Sequence, residues 1–341
     1  EDGAWTVVRT QYKGNVSDAH NVISIGIDGD GFVHLSFDHH GHPLRYCKGK
    51  RPYGLEVGEL QSMDGHDESN VTYPKFYNMP NGDLLFAYRS GSSGRGNLVM
   101  KRYVVAEKRW QSLQDVLIDG ENKRNAYWQL CVDKSGAIHV SWVWRETPDV
   151  ATNHDLCYAR SDDGGVTWRR SDGSQYKLPI TAESAETAFV IPQNSELINQ
   201  TSMTADDEGN PFIATYWREQ DSKVPQYRLV WLDTATKQWQ TSKISDRKTA
   251  FSLSGVGTKM IPIARPRLAV KGKKDKTEVF CLFRDEERGS KVSIAHCKNL
   301  SKKKWKVSDL TDFSVDAWEP SYDIQMWNDR QRLDVFVQQT K

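Results

Sequence analysis

Ten side chains in this sequence bring together proton-exchanging and anion-binding chemistry at a regular spacing. Five of them, His20, Tyr73, Asn125, Asn199 and Arg265, stand eight residues before Asp28, Asn81, Asp133, Asp207 and Lys273, which mark turns. The other five close the pairs His39-His40, Tyr88-Arg89, Trp144-Arg145, Trp217-Arg218 and Phe283-Arg284. His and Tyr can take or give a proton once their neighbours tune them. Arg offers a planar fork that donates two parallel hydrogen bonds to a carboxylate or sulfate. Four arginines and a histidine on one face would repel one another unless an anion or several carboxylates neutralised them. The pattern therefore points to an anionic ligand. Tyr127, Trp128, Trp144, Trp217 and Trp318 lie close enough in sequence to stack on sugar rings, so an acidic saccharide is the economical choice. The expected saccharide-binding set is Asn125, Tyr127, Trp128, Arg145, Asn199, Arg218, Arg265 and Arg284. For any single arginine a structural role competes, because Glu146, Glu219 and Asp285 directly follow three of them and Arg can snorkel past a packed ring.

The elements that must position these groups form a repeat of strand, Gly turn, strand and polar exit. Copies run over 20–40, 73–90, 127–146, 199–219 and 265–286, with a weaker one over 318–339. The turn glycines Gly31, Gly82, Gly136 and Gly209 are 51, 54 and 73 residues apart, the range of propeller blades with variable loops. In such a blade the residue starting the first strand meets the residue ending the second. The expected fold is an all-β β-propeller, one domain over residues 1–341, with six repeats countable and seven blades expected. The seventh would come from 170–198, from 236–262, or from Trp5–Arg9 pairing with the chain end. No convincing amphipathic helix longer than two turns is present.

Composition narrows the classes. The chain has 341 residues, 46 Lys+Arg against 45 Asp+Glu and a formal charge of +1, so no nucleic-acid partner is implied. No apolar run nears the roughly 18 to 20 residues of a membrane span. The five cysteines are odd in number and lack CxxC spacing, which makes them buried small hydrophobes rather than a zinc or redox set. Glu1 is not a Met start, so the chain reads as a mature or trimmed form, and a secreted or periplasmic protein acting as a monomer is expected. Five of nine histidines, His20, His34, His39, His40 and His42, lie in the first repeat. His34 and His139 share a mid-strand position, which argues for packing, and no three- or four-ligand zinc set is completed. No cofactor is required, and a structural metal ion is left open.

Ser161-Asp162-Asp163-Gly164-Gly165-Val166-Thr167-Trp168 fits S-x-D-x-G-x-T-W and resembles the Asp-box of BNR-repeat propellers, a structural turn rather than an active site. At His20-Asn21, His39-His40, Tyr73-Pro74 and Tyr88-Arg89 the sequence resembles the propeller-type ulvan lyases and their relatives that act on rhamnose caps linked to glucuronate in arabinogalactan. The likeness is specific over roughly residues 18–96. His20 and His40 are twenty residues apart, and Tyr73 and Arg89 sixteen, as in that family. The resemblance implies β-elimination at rhamnose-α-1,4-uronate linkages, with His20 and Tyr73 as the base and acid and Arg89 and His40 on the carboxylate. Which of the pair is base stays open, and His39 replaces His40 if the alignment slips by one. Two departures keep an α-L-rhamnosidase and a non-catalytic glycan-binding propeller in view. The chain is shorter than the endo-acting lyases, and some relatives are assigned as rhamnosidases. Hydrolysis by the usual route needs two carboxyls, and Glu319 is the one acidic residue at a strand-start position.

Overall fold

The computed structural model describes residues 6–199, 201–256 and 260–340. The chain divides into two compact units, one running to Ser92 and resuming over Gly96–Asp119, the other holding Ser93–Arg95 and everything from Gly120. In the first unit, β1 (Ile23–Ile27), β2 (Val33–Phe37) and β4 (Tyr46–Lys48) form one antiparallel sheet, and β3 (His40–His42) leaves it. β3 pairs instead with β5 (Val71–Asn78), the first strand of a second meander completed by β6 (Leu84–Ser92), β7 (Arg95–Val104) and β8 (Arg109–Ser112).

The second unit repeats the theme. β9 (Asn125–Val132), β10 (Ile138–Arg145), β11 (Asn153–Ser161) and β12 (Glu186–Phe189) follow one another edge to edge. So do β13 (Ser202–Ala205), β14 (Pro211–Trp217), β15 (Gln226–Asp233) and β16 (Gln238–Lys243). A third set is β17 (Arg267–Lys271), β18 (Glu278–Asp285), β19 (Lys291–Cys297) and β20 (Lys306–Asp309). The stretches 170–198 and 236–262 thus supply the outer strands β12 and β16. Trp5 lies outside the described residues, and Thr6–Arg9 form no strand. The weakest repeat pairs only β21 (Ser321–Tyr322) with β22 (Val335–Phe336), separated by the helix α1 (Ile324–Arg330), which Asp323 caps by accepting from the Met326 N–H. No helix among the described residues is long and apolar enough to cross a membrane.

The repeat owes its shape to its turns. Gly31, Gly82, Gly136 and Gly209 all have φ between 78° and 89°, which side chains disfavour. Three residues before three of these glycines, Asp28, Asp133 and Asp206 each accept two backbone N–H groups across the turn. The turn carboxylate of the fourth repeat is therefore Asp206; Asp207, the position expected from sequence, accepts from the Gly272 N–H and from Lys134 instead. The Asp-box behaves as its chemistry dictates. Asp163 accepts from the Val166 and Thr167 N–H groups, and fully buried Trp168 donates to the Gly165 carbonyl. Cys47, Cys157, Cys281 and Cys297 are buried and Cys131 half-buried, all as thiols.

β1 inverts the usual alternation, exposing Ile23, Ile25 and Ile27 and burying Ser24 and Gly26. The Ser24 hydroxyl accepts from the Phe76 N–H, and a Cβ on Gly26 would stand 2.9 Å from the Phe76 Cβ. Only glycine lets β1 and β5 approach so closely. Behind them an aromatic cluster of Tyr46, Phe76, Phe86, Tyr88, Tyr103 and Trp110 fills the core of this unit.

His34 and His139 occupy matching places. Each donates from Nε2 to the turn carboxylate, Asp28 or Asp133, at 3.0 Å and accepts at Nδ1 from a buried tyrosine, Tyr46 or Tyr158, at 2.8 Å. These are neutral, satisfied packing histidines. Burial drives the His34 pKa down from 6.5 to about 4, with nearby Lys48 adding to the depression. The unfolded chain takes up a proton below pH 6.5 that folded His34 refuses until about pH 4, so its contribution is present above 6.5 and lost as pH falls through that window. The melting temperature is expected to fall between those values and to fall less steeply in His34→Gln. Equal slopes by calorimetry would show that His34 does not carry the effect.

Candidate active site

The site residues of the first unit are placed by strand register. The β1–β2 ladder pairs Ile23 with Phe37 and, continued outward, sets His20 opposite His40. Their rings stack with centroids 4.0 Å apart and planes 16° from parallel. The loop before β1 is folded rather than slack. Asp38 accepts from the Asn15 N–H at 2.7 Å and from Arg45, Asn21 donates to the Asn15 carbonyl, and the Asn21 N–H closes a turn onto the Asp18 carbonyl. His39 points inward, fully buried, and accepts at Nε2 from the Arg45 N–H. Burial, assisted by Arg45, pushes its pKa down to about 4, so it stays a neutral packing group while His40 is exposed.

Tyr73 reaches the same place by a different device. The β5–β6 register slips between Thr72 and Lys75, a bulge that frees Tyr73 from the ladder. Its φ is +56° although it precedes Pro74, a conformation that costs about 1–3 kcal/mol and that the flanking pairs must enforce. The ring comes within 6.0 Å of His20. Arg89, buried on β6, lays its guanidinium 5.1 Å from the Tyr73 ring centre and donates to the Thr72 hydroxyl, which also accepts from the Gly41 N–H. The β3–β5 pairing of His40 with Thr72 completes the assembly. His20, His40, Tyr73 and Arg89, chosen from sequence, thus form one cluster within one unit.

Sequence reasoning missed Asp18. Its carboxylate accepts from the His20 N–H at 2.9 Å, from His20 Nδ1 at 2.8 Å and from His40 Nδ1 at 2.7 Å. Those bonds, the backbone one foremost, hold its carboxyl well below the usual carboxylate range. Its place two residues before His20 was the only available signal. Among the described residues this trio is also the one grouping of three His and carboxylate donors within 4.8 Å of one another. Its N···O separations match hydrogen bonds from the two rings to the carboxylate.

Most of the expected saccharide-binding set is buried in the second unit. Asn125, Tyr127, Trp128, Arg145, Asn199 and Arg284 are all at most 7% exposed. Arg145 donates to Asn153, Tyr127 and Asn199, and its guanidinium lies 4.2 Å from the Tyr127 ring centre. Arg284 donates to the Ile261 carbonyl. The β9–β10 register pairs Asn125 with Arg145 at the strand ends, where both side chains are buried. Arg218 and Arg265 keep partial exposure; Arg218 reaches the Asn194 and Ser222 carbonyls, and Arg265 pairs with Glu319 at 2.9 Å. The acids that follow the arginines choose other partners: Glu146 binds Arg124 and His154, Glu219 binds Arg228 and Asp285 binds Arg247.

These meanders belong to the all-β propeller class, and solved structures share the fold. An ulvan lyase described as founding a new polysaccharide lyase family, bound to -[GlcA(1-4)Rha3S]-, superposes with a TM-score of 0.63 at 16% identity, covering 87% of this chain and 71% of that one. A crystal structure of polysaccharide lyase Uly1 also gives 0.63, at 15% identity over 89% and 72%. A family described as BNR repeat-containing matches residues 1–247, and the chain belongs to it. Among curated proteins, the short-isoform ulvan lyase of Alteromonas sp. (strain LOR) is 26% identical over 196 residues, 51% of this chain and 36% of that protein. An ulvan lyase of Nonlabens ulvanivorans is 23% identical over 229 residues, 58% and 48%. The chain thus spans about a third to a half of these relatives.

Proposed function

We propose that this protein is a polysaccharide lyase that cleaves rhamnose-α-1,4-uronate linkages, in ulvan or in the rhamnose caps of arabinogalactan, by β-elimination. The gathering of His20, His40, Tyr73 and Arg89 within one unit carries the reading. Elimination needs a group to remove the C5 proton beside the carboxylate and a group to protonate the departing C4 oxygen. His20 and Tyr73 fill those two roles. The C5–H electrons become the C4–C5 double bond as the C4–O bond breaks, and charge spreads onto the carboxylate in between. Arg89 and His40 meet that charge with hydrogen bonds that strengthen as it develops.

Glu319 supports elimination over hydrolysis. It is committed to Arg265 by two hydrogen bonds, and the ordinary hydrolytic route needs a pair of free carboxyls. The reading needs no cofactor and takes the chain to work as a monomer outside the cytoplasm, where an acidic polymer is met. Incubation with ulvan and, separately, gum arabic tests it. Near-ultraviolet absorbance from the conjugated unsaturated uronate is expected to rise with one of them. Free rhamnose without that absorbance would make the protein a hydrolase, and neither signal would leave a binding propeller.

A further inference from the structure

Asp18 touches both imidazoles of the site and belongs to none of the chemistry assigned above. One carboxylate oxygen lies 2.8 Å from His20 Nδ1 and the other 2.7 Å from His40 Nδ1. A carboxylate accepts only, so both Nδ1 atoms carry protons. The neutral form of each ring then holds its lone pair on Nε2, the atom on the far side of the ring from Asp18, and a ring that takes a second proton donates from that same atom, as His40 must to meet the substrate carboxylate. Two rings stacked at 4.0 Å have little intrinsic reason to share an orientation, and the bridging carboxylate supplies one. Asp18 is itself fixed by the His20 N–H and by its own carbonyl accepting from Asn21, in a loop tied to Asp38 through Asn15.

We infer that Asp18 is a positioning residue, whose bridge to the two Nδ1–H groups fixes both histidines as the tautomer that presents Nε2 to the substrate. Orienting groups of this kind behind a catalytic imidazole change rates without contacting substrate. The kinetic consequence rests on the lyase reading; the tautomer does not.

The test uses the full chain with ¹⁵N-labelled histidine, comparing wild type with Asp18→Asn over a pH series. Long-range ¹H–¹⁵N spectra of the wild type are expected to show protonated Nδ1 and unprotonated Nε2 for His20 and His40, assigned by His20→Gln and His40→Gln. In Asp18→Asn at least one ring should change to the Nε2–H form, because the amide turns its NH2, a donor, toward one of the two Nδ1 atoms. With substrate, kcat should fall about 10–100-fold while KM stays within about twofold. Nε2–H tautomers in the wild type, or spectra unchanged by the substitution, would overturn the inference. An unchanged kcat in a variant of an active wild type would do the same. If the wild type turns over neither polymer, the lyase reading fails while the spectra still decide the role of Asp18.

Discussion

Tyr73→Phe is expected to lower kcat about 10²–10⁴-fold, the range for loss of a positioned acid or base, while substrate binding stays near the wild-type value. The substitution removes one oxygen and nothing else. The ring remains to pack 6.0 Å from His20 and to lie against the Arg89 guanidinium, so the bulge and its positive φ at residue 73 persist. Calorimetric titration of an unreactive uronate oligosaccharide beside steady-state kinetics separates the two effects. Turnover near the wild-type rate would remove Tyr73 from the mechanism, whatever its position.

Arg89 should show the second largest effect, about 10²–10³-fold in kcat/KM for Arg89→Met, the scale of losing a preorganised donor to a developing anion. Methionine fills much of the buried volume of the stem, so the loss reports on charge and hydrogen bonding more than on packing. Arg89→Lys should recover only part of the activity, because an ammonium keeps the charge but lacks the planar fork. Thr72 sharpens the expectation: its hydroxyl accepts from both Arg89 and the Gly41 N–H, so the guanidinium is held in place before substrate arrives. Equal kcat/KM in wild type and Arg89→Met, with melting temperatures matched, would dismiss the role.

The repeat made His20 and His40 neighbours on paper, since a strand, a tight turn and a returning strand bring residues twenty apart face to face. Tyr73 was found by a compensation. The residue equivalent to Asp28 in the second repeat is Met79, three before Gly82, and eight residues back from it lies buried Val71. Counting from Asn81 instead absorbed the bulge that turns Tyr73 out of its strand. The binding set in the second unit followed the same count, yet burial depends on what packs above a strand end, and residue type does not report that.

Sequence by itself determined the local frame. Turn glycines, turn carboxylates, the Asp-box and the alternation of strands are set by interactions within about ten residues, so their chemistry is written in the order of the chain. It also determined which side chains could exchange protons or bind an anion. Tertiary structure alone decided which of those groups meet. Asp18 bridges two histidines because the loop that carries it is pinned to Asp38, just past the end of β2. His39 is buried while His40 is exposed, and Glu319 is committed to Arg265 fifty-four residues away. Each of these depends on contacts between segments distant in sequence, whose free energy is shared across the packed unit and has no local signature.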